Sequence, residues 1–315
     1  MKKLVFIINP IAGGVRKDKV VTAIGKYIDK KRFATEIRYT EYAGHATALA
    51  DSAVKEGADI VVAVGGDGSV NEVAKALIGT SVVLGIIPCG SGNGLARHLC
   101  IPMNLRAAMT LINKTFVTTV DTASVNGVPF FCTSGIGYDA RVCSEYTKAG
   151  TRGLVTYVEK SIAEYFTYHS RWYRIKTEHG EIIRRAFVIT FANANQWGNN
   201  FHVAPHASVK DGLMDMVIIH PIQFLHAIIM PSQILGYRFD RNPDVEVIRC
   251  RKAEVSRLPG QLEKTPYPVE GHDVDRAVME AHYDGEPLLS GPDLVAEVHP
   301  DSLHVIVSAA DLSRL

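Results

Sequence analysis

The run Ile60-Val61-Val62-Ala63-Val64 narrows the choice of fold more than any other part of this chain. A half-exposed strand alternates apolar and polar residues, whereas an unbroken apolar run of strand length belongs to a parallel strand buried on both faces. The run breaks into Gly65-Gly66-Asp67-Gly68-Ser69. It then resumes at helical spacing, with Val70, Val73, Ala74 and Leu77 three and four residues apart. A strand, a tight glycine turn and a helix N-terminus gather main-chain N–H groups and the positive end of a helix dipole at one point, with no side chains in the way of an anion. Asp67 is out of place in such an anion site unless it holds a metal or takes a proton, and phosphoryl transfer needs both services. The plainer alternative is a glycine-rich turn in which Asp67 caps the helix.

With 315 residues the chain has room for two domains, each with its own core. A formal net charge of +1 argues against nucleic acid as a partner. The five cysteines (Cys89, Cys100, Cys132, Cys143, Cys250) are odd in number and show no CxxC spacing, so they read as reduced thiols in a cytoplasmic protein. The apolar run near the N-terminus stops at Asn9-Pro10, too early for a signal peptide and suited to a first buried strand. No segment approaches the ~20 apolar residues of a membrane span.

Taken in order, the first half alternates strands and helices: strand Leu4–Ile8, helix 20–31, strand Ala34–Tyr39, a helix ending near Glu56, the strand above, and strand Val82–Ile87. That rhythm predicts a mostly parallel sheet with helices on both faces. The turns at Asn9, Thr40, Gly66 and Gly90 each follow the C-terminal end of a strand, the edge at which open α/β sheets bind ligands. After Asp121 the rhythm changes to short β-forming runs: 122–125, 128–133, 172–177, 185–192, 214–219 and 245–255. Asn126-Gly127 is a hairpin signal, and helical insertions are expected at about 151–168 and 221–238. The second insertion begins with a nearly all-apolar stretch, Pro221–Pro231, which serves as core or as the wall of a lipid pocket. Arg249, Arg251, Lys252 and Arg257 form a basic run that suits a solvated strand face or an anionic membrane. The run at Leu303–Ser308 is expected to return to the first domain. The expected division is therefore 1–120 with 303–315, and 121–302.

The motif Gly65-Gly66-Asp67-Gly68-Ser69 with Asn71-Glu72-Val73, followed by Pro88-Cys89-Gly90-Ser91-Gly92-Asn93-Gly94-Leu95-Ala96-Arg97, resembles the catalytic domain of diacylglycerol and sphingosine kinases. Within that superfamily it is most similar to the bacterial soluble lipid kinases. Asn9-Pro10 with Gly13-Gly14 is similar to the family's opening phosphate loop, and Thr40 with His45-Ala46 to its third nucleotide-contacting turn. Ser69 stands for the commoner threonine, and Gly94 and His98 depart from the usual second glycine loop.

What this resemblance implies is specific. The fold would be an α/β N-terminal domain with a mostly parallel sheet, a C-terminal antiparallel β-sandwich-like domain, and an active site in the cleft between them. ATP would be held by Asn9, Gly13, Thr40, Gly65, Gly66, Gly68, Ser69, Glu72, Ser91, Asn93 and Arg97. Asp139, in Gly135-Ile136-Gly137-Tyr138-Asp139-Ala140, would contact the lipid head group. Asp211, with the carbonyls of Ser208 and Leu213, would bind Mg²⁺. The catalytic carboxylates would be Asp67 and the pair Asp284/Glu286 of Asp284-Gly285-Glu286, with Asp67 and the pair competing for the role of base. The expected function is ATP-dependent phosphorylation of a hydroxyl on a diacylglycerol-like or sphingoid-like lipid. Alternatives are a soluble-substrate kinase of the NAD kinase type and a non-catalytic nucleotide- or lipid-sensing protein. Peripheral contact with the inner membrane face and a homodimer are kept open as partners; nucleic acid is not expected.

Overall fold

The computed structural model describes residues 1–11, 17–148, 159, 161, 163–165, 167–222, 224–259 and 278–315. They form two units: Met1–Thr122 with Val209–Asp211 and Pro300–Leu315, and Ala123–Ser208 with Gly212–His299.

The first unit alternates β1 (Lys2–Ile8), α1 (Lys17–Tyr27), β2 (Phe33–Tyr39), α2 (His45–Lys55), β3 (Ile60–Gly65), α3 (Asp67–Leu77) and β4 (Val83–Pro88). Two further helices follow, α4 (Gly94–His98) and α5 (Leu105–Lys114), and then β5 (Val117–Val125). The strands stand in the order β2-β1-β3-β4, all parallel. Val61, Val62, Ala63 and Val64 are wholly buried, as an unbroken apolar run requires. α3 turns Val70, Val73, Ala74 and Leu77 inward, the residues its spacing predicts. α1 ends at Tyr27 rather than at 31. Asp29 there gives its N–H to Asn113 Oδ1 and accepts the Lys31 N–H on its own carboxylate, an Asx turn that competes with the helix. Because β2 and β3 flank β1 on opposite sides, the chain reverses its direction of winding at the C-terminal ends of β1 and β3. This is the switch point at which doubly wound sheets leave a crevice.

The second unit contains β6 (Val128–Phe130), β7 (Thr133–Gly137), α6 (Tyr138–Lys148), β8 (Arg171–Thr177), β9 (Gly180–Ala186), β10 (Val188–Ala192) and β11 (Met214–Ile219). After these come α7 (Phe224–Leu235), β12 (Val245–Cys250), β13 (Lys252–Arg257), β14 (Met279–Tyr283), β15 (Glu286–Ser290) and β16 (Asp293–Ile306). One antiparallel sheet runs β12-β11-β10-β7-β14-β15. β16, β13, β8 and β9 form an antiparallel run of the other sheet. Met214, Met216 and Ile218 of β11 join Ile175, Val255 and Leu294 in one apolar core, while Val217 and Ile219 pack on the opposite face with Met230, Ile234 and Phe239. β16 starts in this unit and ends in the first, where Val305 pairs with Leu84 of β4.

Three runs expected as single strands each divide. Between 128 and 133 the ladder breaks after Phe130; 185–192 breaks at Phe187 and 245–255 at Arg251, and in all three cases the pieces lie in different sheets. Each corner residue leaves the ladders and bonds elsewhere: Phe187 N–H to Ile219 O, and Arg251 N–H to the Glu178 carboxylate. The stretch read as a glycine-flanked turn at 134–140 is the end of β7 and the first turn of α6. The insertion expected at 221–238 contains α7, with Pro231 inside it. Gly13, Gly14 and most of 151–168 lie outside the described residues. No helix among the described residues is long and apolar enough to cross a membrane.

Candidate functional site

The turns after β1, β2, β3 and β4 all leave the same edge of the parallel sheet, since Ile8 pairs with Tyr39 and Val64, and Gly65 with Pro88. Two of them meet main chain to main chain. A Cβ on Gly90 would lie 2.6 Å from the Gly66 Cα, and a Cβ on Gly66 would lie 3.2 Å from the Gly90 Cα. Gly65 is required for a related reason, because its Cβ would fall 2.4 Å from Ser69 Oγ. Only glycine lets these loops close to this distance.

Polar side chains fasten the loops to one another. Asp67, on the first turn of α3, accepts the Asn93 N–H on Oδ2 (2.8 Å) and the Gly94 N–H on Oδ1 (2.6 Å). A Cβ on Gly92 would sit 2.7 Å from the same carboxylate. Asn93, left-handed at φ 52°, accepts from the Gly90 N–H and donates to the Gly90 carbonyl, at 2.9 and 2.8 Å. Arg97 Nε donates to the Gly92 carbonyl (2.9 Å). Asn9 Nδ2 donates to Ser69 Oγ (3.2 Å), tying the end of β1 to α3 across the switch point. Glu72 accepts the Gly44 and Ala46 N–H groups on its two oxygens (2.9 and 3.0 Å), so it holds the turn after β2. In that turn Thr40 is buried, and the exposed Tyr42 ring stacks on His45, centroids 4.4 Å apart and 3° from parallel. Ser91 is exposed, and Gly68 is half-buried on the first turn of α3. Glu72, Asn93 and Arg97, expected to touch a nucleotide, and Asp67, expected in catalysis, thus spend hydrogen bonds on holding loops.

The second unit presents the other acids. β14 and β15 are joined by Asp284-Gly285, both at positive φ (46° and 83°), with Tyr283 paired to Glu286. This is the two-residue hairpin turn that Asp-Gly favours. The Asp284 carboxylate accepts three main-chain N–H groups: Phe131 (2.9 Å), Cys132 (2.8 Å) and Thr133 (3.1 Å). The carboxylate of Glu286, a half-buried residue at the start of β15, has no hydrogen bond or ion pair among the described residues. Cys143, on α6, lies near it and is held as a neutral thiol by burial first, then by the carboxylates of Asp139 and Glu286.

Asp139, expected to contact a lipid head group, is buried, and it faces His282, which the sequence did not single out. Its only sequence signal is its place two residues before Asp284. Ser208, Asp211 and Leu213 share a turn in which Gly212 adopts φ 70°. Asp211 is exposed, and among the described residues no group of three or more His, Cys, Asp or Glu side chains is placed to hold a metal ion. A cation there would rest on Asp211 and main-chain oxygens, a donor set of the hard kind that Mg²⁺ accepts.

The sequence pattern described as the diacylglycerol kinase catalytic domain matches residues 3–125, and that described as the YegS C-terminal NAD kinase beta sandwich-like domain matches 133–307. The chain belongs to the YegS and diacylglycerol kinase family. A diacylglycerol kinase of Bacillus subtilis is 30% identical over 229 residues, 70% of this chain and 74% of that one. An uncharacterized protein of Synechocystis sp. is 27% identical over 251 residues, and the chain spans 75% of its own length but 58% of that relative's. Among solved structures, a diacylglycerol kinase from Bacillus anthracis str. Sterne superimposes with a TM-score of 0.71 at 20% identity, covering 98% of both chains. That likeness establishes the fold: this family member shares the α/β domain and the antiparallel β domain.

Proposed function

We propose that this chain transfers the γ-phosphate of ATP to a hydroxyl of a diacylglycerol-like or sphingoid-like lipid. The observation that carries the reading is the close meeting of Gly66 and Gly90 at the strand ends, where no Cβ stands between a polyphosphate and the main chain of the two loops and α3 presents its N-terminus. Asn9, Thr40, Gly65, Gly66, Gly68, Ser69 and Ser91 line the nucleotide, while Glu72, Asn93 and Arg97 keep the loops in place around it. When bound with the nucleotide, Mg²⁺ neutralises charge on the β- and γ-phosphates.

Of the three acids expected to compete, we assign the base to Glu286. A carboxylate whose lone pairs are taken by main-chain amides is a poor proton acceptor, and this describes both Asp67 and Asp284. Glu286 keeps its oxygens free of such bonds among the described residues. The acceptor hydroxyl gives its proton to Glu286, its oxygen bonds to the γ-phosphorus, and ADP leaves with the bridging oxygen. A carboxylate suffices because in a loose transition state the proton moves late, once phosphorus has acidified it.

Purified protein with γ-labelled ATP, Mg²⁺ and separate diacylglycerol, sphingoid and NAD acceptors tests this directly. Label is expected on a lipid. Label on NAD alone, or on nothing while nucleotide still binds, removes the lipid kinase reading. Glu286→Gln is expected to lower kcat by roughly 10²–10⁴-fold with nucleotide binding unchanged.

A further inference from the structure

Gly135 and His282 are paired across β7 and β14, and Asp139 follows on the first turn of α6. The Asp139 carboxylate is 6% exposed. Its Oδ1 accepts the Ala140 N–H (2.7 Å); its Oδ2 accepts the Thr190 hydroxyl (3.2 Å) and stands 3.1 Å from His282 Nε2. Since a carboxylate only accepts, Nε2 is the protonated ring nitrogen. A Cβ on Gly135 would lie 2.5 Å from the same Oδ2 and 3.0 Å from His282 Nε2, so the glycine leaves the space in which the two side chains meet.

The imidazole is 3% exposed, and Nδ1 is buried with no hydrogen-bond partner, so Asp139 is the one polar contact the ring has among the described residues. The His282 carbonyl accepts the Ser134 hydroxyl (2.7 Å), and two residues on Asp284 is tied to the amides of 131–133. Ring, carbonyl and Asp284 thus fasten the end of the β14–β15 hairpin, whose second strand carries Glu286, at three points. Cys143, one helical turn beyond Asp139 on α6, is buried as well.

We propose that Asp139 and His282 act as one positioning pair: the carboxylate orients the imidazole, and the imidazole sets the end of the β14–β15 hairpin from which Glu286 projects. Asp139 then works through His282 and not as a ligand of the substrate. The inference rests on the assignment of Glu286 as base, yet the pair itself has a readout that needs no turnover.

In ¹⁵N-histidine-labelled protein, the His282 resonance, assigned by its loss in His282→Gln, is expected to show the Nε2–H tautomer and to move in Asp139→Asn. A His282 ring protonated at Nδ1 alone, or indifferent to Asp139→Asn, overturns the pair whether or not a lipid is phosphorylated. In the kinase assay, Asp139→Asn and His282→Leu are each expected to lower kcat by about 10–100-fold, with KM for nucleotide and lipid within about twofold. The double variant should be no worse than either single one. His282→Gln, whose amide can still donate to Asp139, should recover most of the loss; if His282→Leu does not fold, this variant and the spectra carry the test. A raised lipid KM in Asp139→Asn with His282→Gln and His282→Leu both unaffected makes Asp139 a substrate ligand and overturns the proposal.

Discussion

Asp284-Gly285 and Asn126-Gly127 adopt the same turn, each with both residues at positive φ and each joining paired strands. The sequence marks both, because few other dipeptides tolerate that conformation. It marks the turn but not the duty of its first side chain: the amides of 131–133, which occupy Asp284, are about 150 residues away and come close only through the β7–β14 pairing. The same distance hid His282. By contrast the close main-chain approach at Gly65, Gly66 and Gly90 was legible, since glycines directly after buried strands already implied it. This gives a residue-scale contrast with Glu286→Gln. Asp284→Asn replaces one accepting oxygen by a donor facing main-chain N–H groups, and should cost about 1–3 kcal/mol in urea unfolding. Glu286→Gln should leave the unfolding midpoint unchanged. Equal stability losses in the two would remove the distinction drawn between the acids. Gly90→Ala, with its Cβ against backbone, should lose nucleotide binding as well as stability.

At the scale of the element, hydrophobic pattern located the parallel strands and failed at the sandwich corners. Phe187 and Arg251 each sit at a bend, yet neither is a glycine or proline, so nothing in the local sequence distinguishes a strand that continues from one that changes sheet. β2 illustrates a feature that pattern misses altogether. It is the sheet edge, and Arg38 on it donates to Glu36 (2.7 Å) and to Glu56 of the turn after α2 (2.6 Å), with Lys3 also on Glu56 (3.1 Å). Charges of this kind discourage pairing with another chain. Hydrogen bonds from Ser52, Arg38 and Lys3 hold Glu56 down to about 2, and Arg38 lowers Glu36. Both are acids whose folded-state value is depressed, so their stabilisation is present above the unfolded value of 4.5 and is lost as pH falls toward about 2. Arg38→Met should therefore lower Tm at pH 6, and the difference from the parent should close as pH falls from 4.5 to 2. A gap that stays constant over that range would show the network contributes nothing through charge.

For the whole molecule the decisive feature is that the first unit is not contiguous in sequence. Pro300–Leu315 belongs to it, with Leu303, Val305, Ile306 and Val307 at 0–1% exposure, Ser302 bonded to Thr122 and Gly79, and Asp301 to Asp121. Burying one such side chain is worth about 1.5–3 kcal/mol, so losing four approaches or exceeds the 5–15 kcal/mol that holds a typical protein folded. A polypeptide of residues 1–122 should be unfolded or aggregated by circular dichroism and sedimentation. The same segment joined by a flexible linker to 300–315 should regain a cooperative melt. A folded, monomeric 1–122 would show the returning segment to be dispensable.

The path of β16 also bears on how the chain is made. It begins among the strands of one unit and reaches the edge of β4 in the other, where Val305 pairs with Leu84. A ribosome that has released residues 1–122 has yet to synthesise the segment that covers that edge, and at about 5–20 residues per second the wait is roughly 10–40 s. During that interval β4 is an open strand edge on an incomplete core, the kind of surface that holdase chaperones shield. Slow translation across 123–299 would lengthen this exposure, while the codons of 300–306 close it.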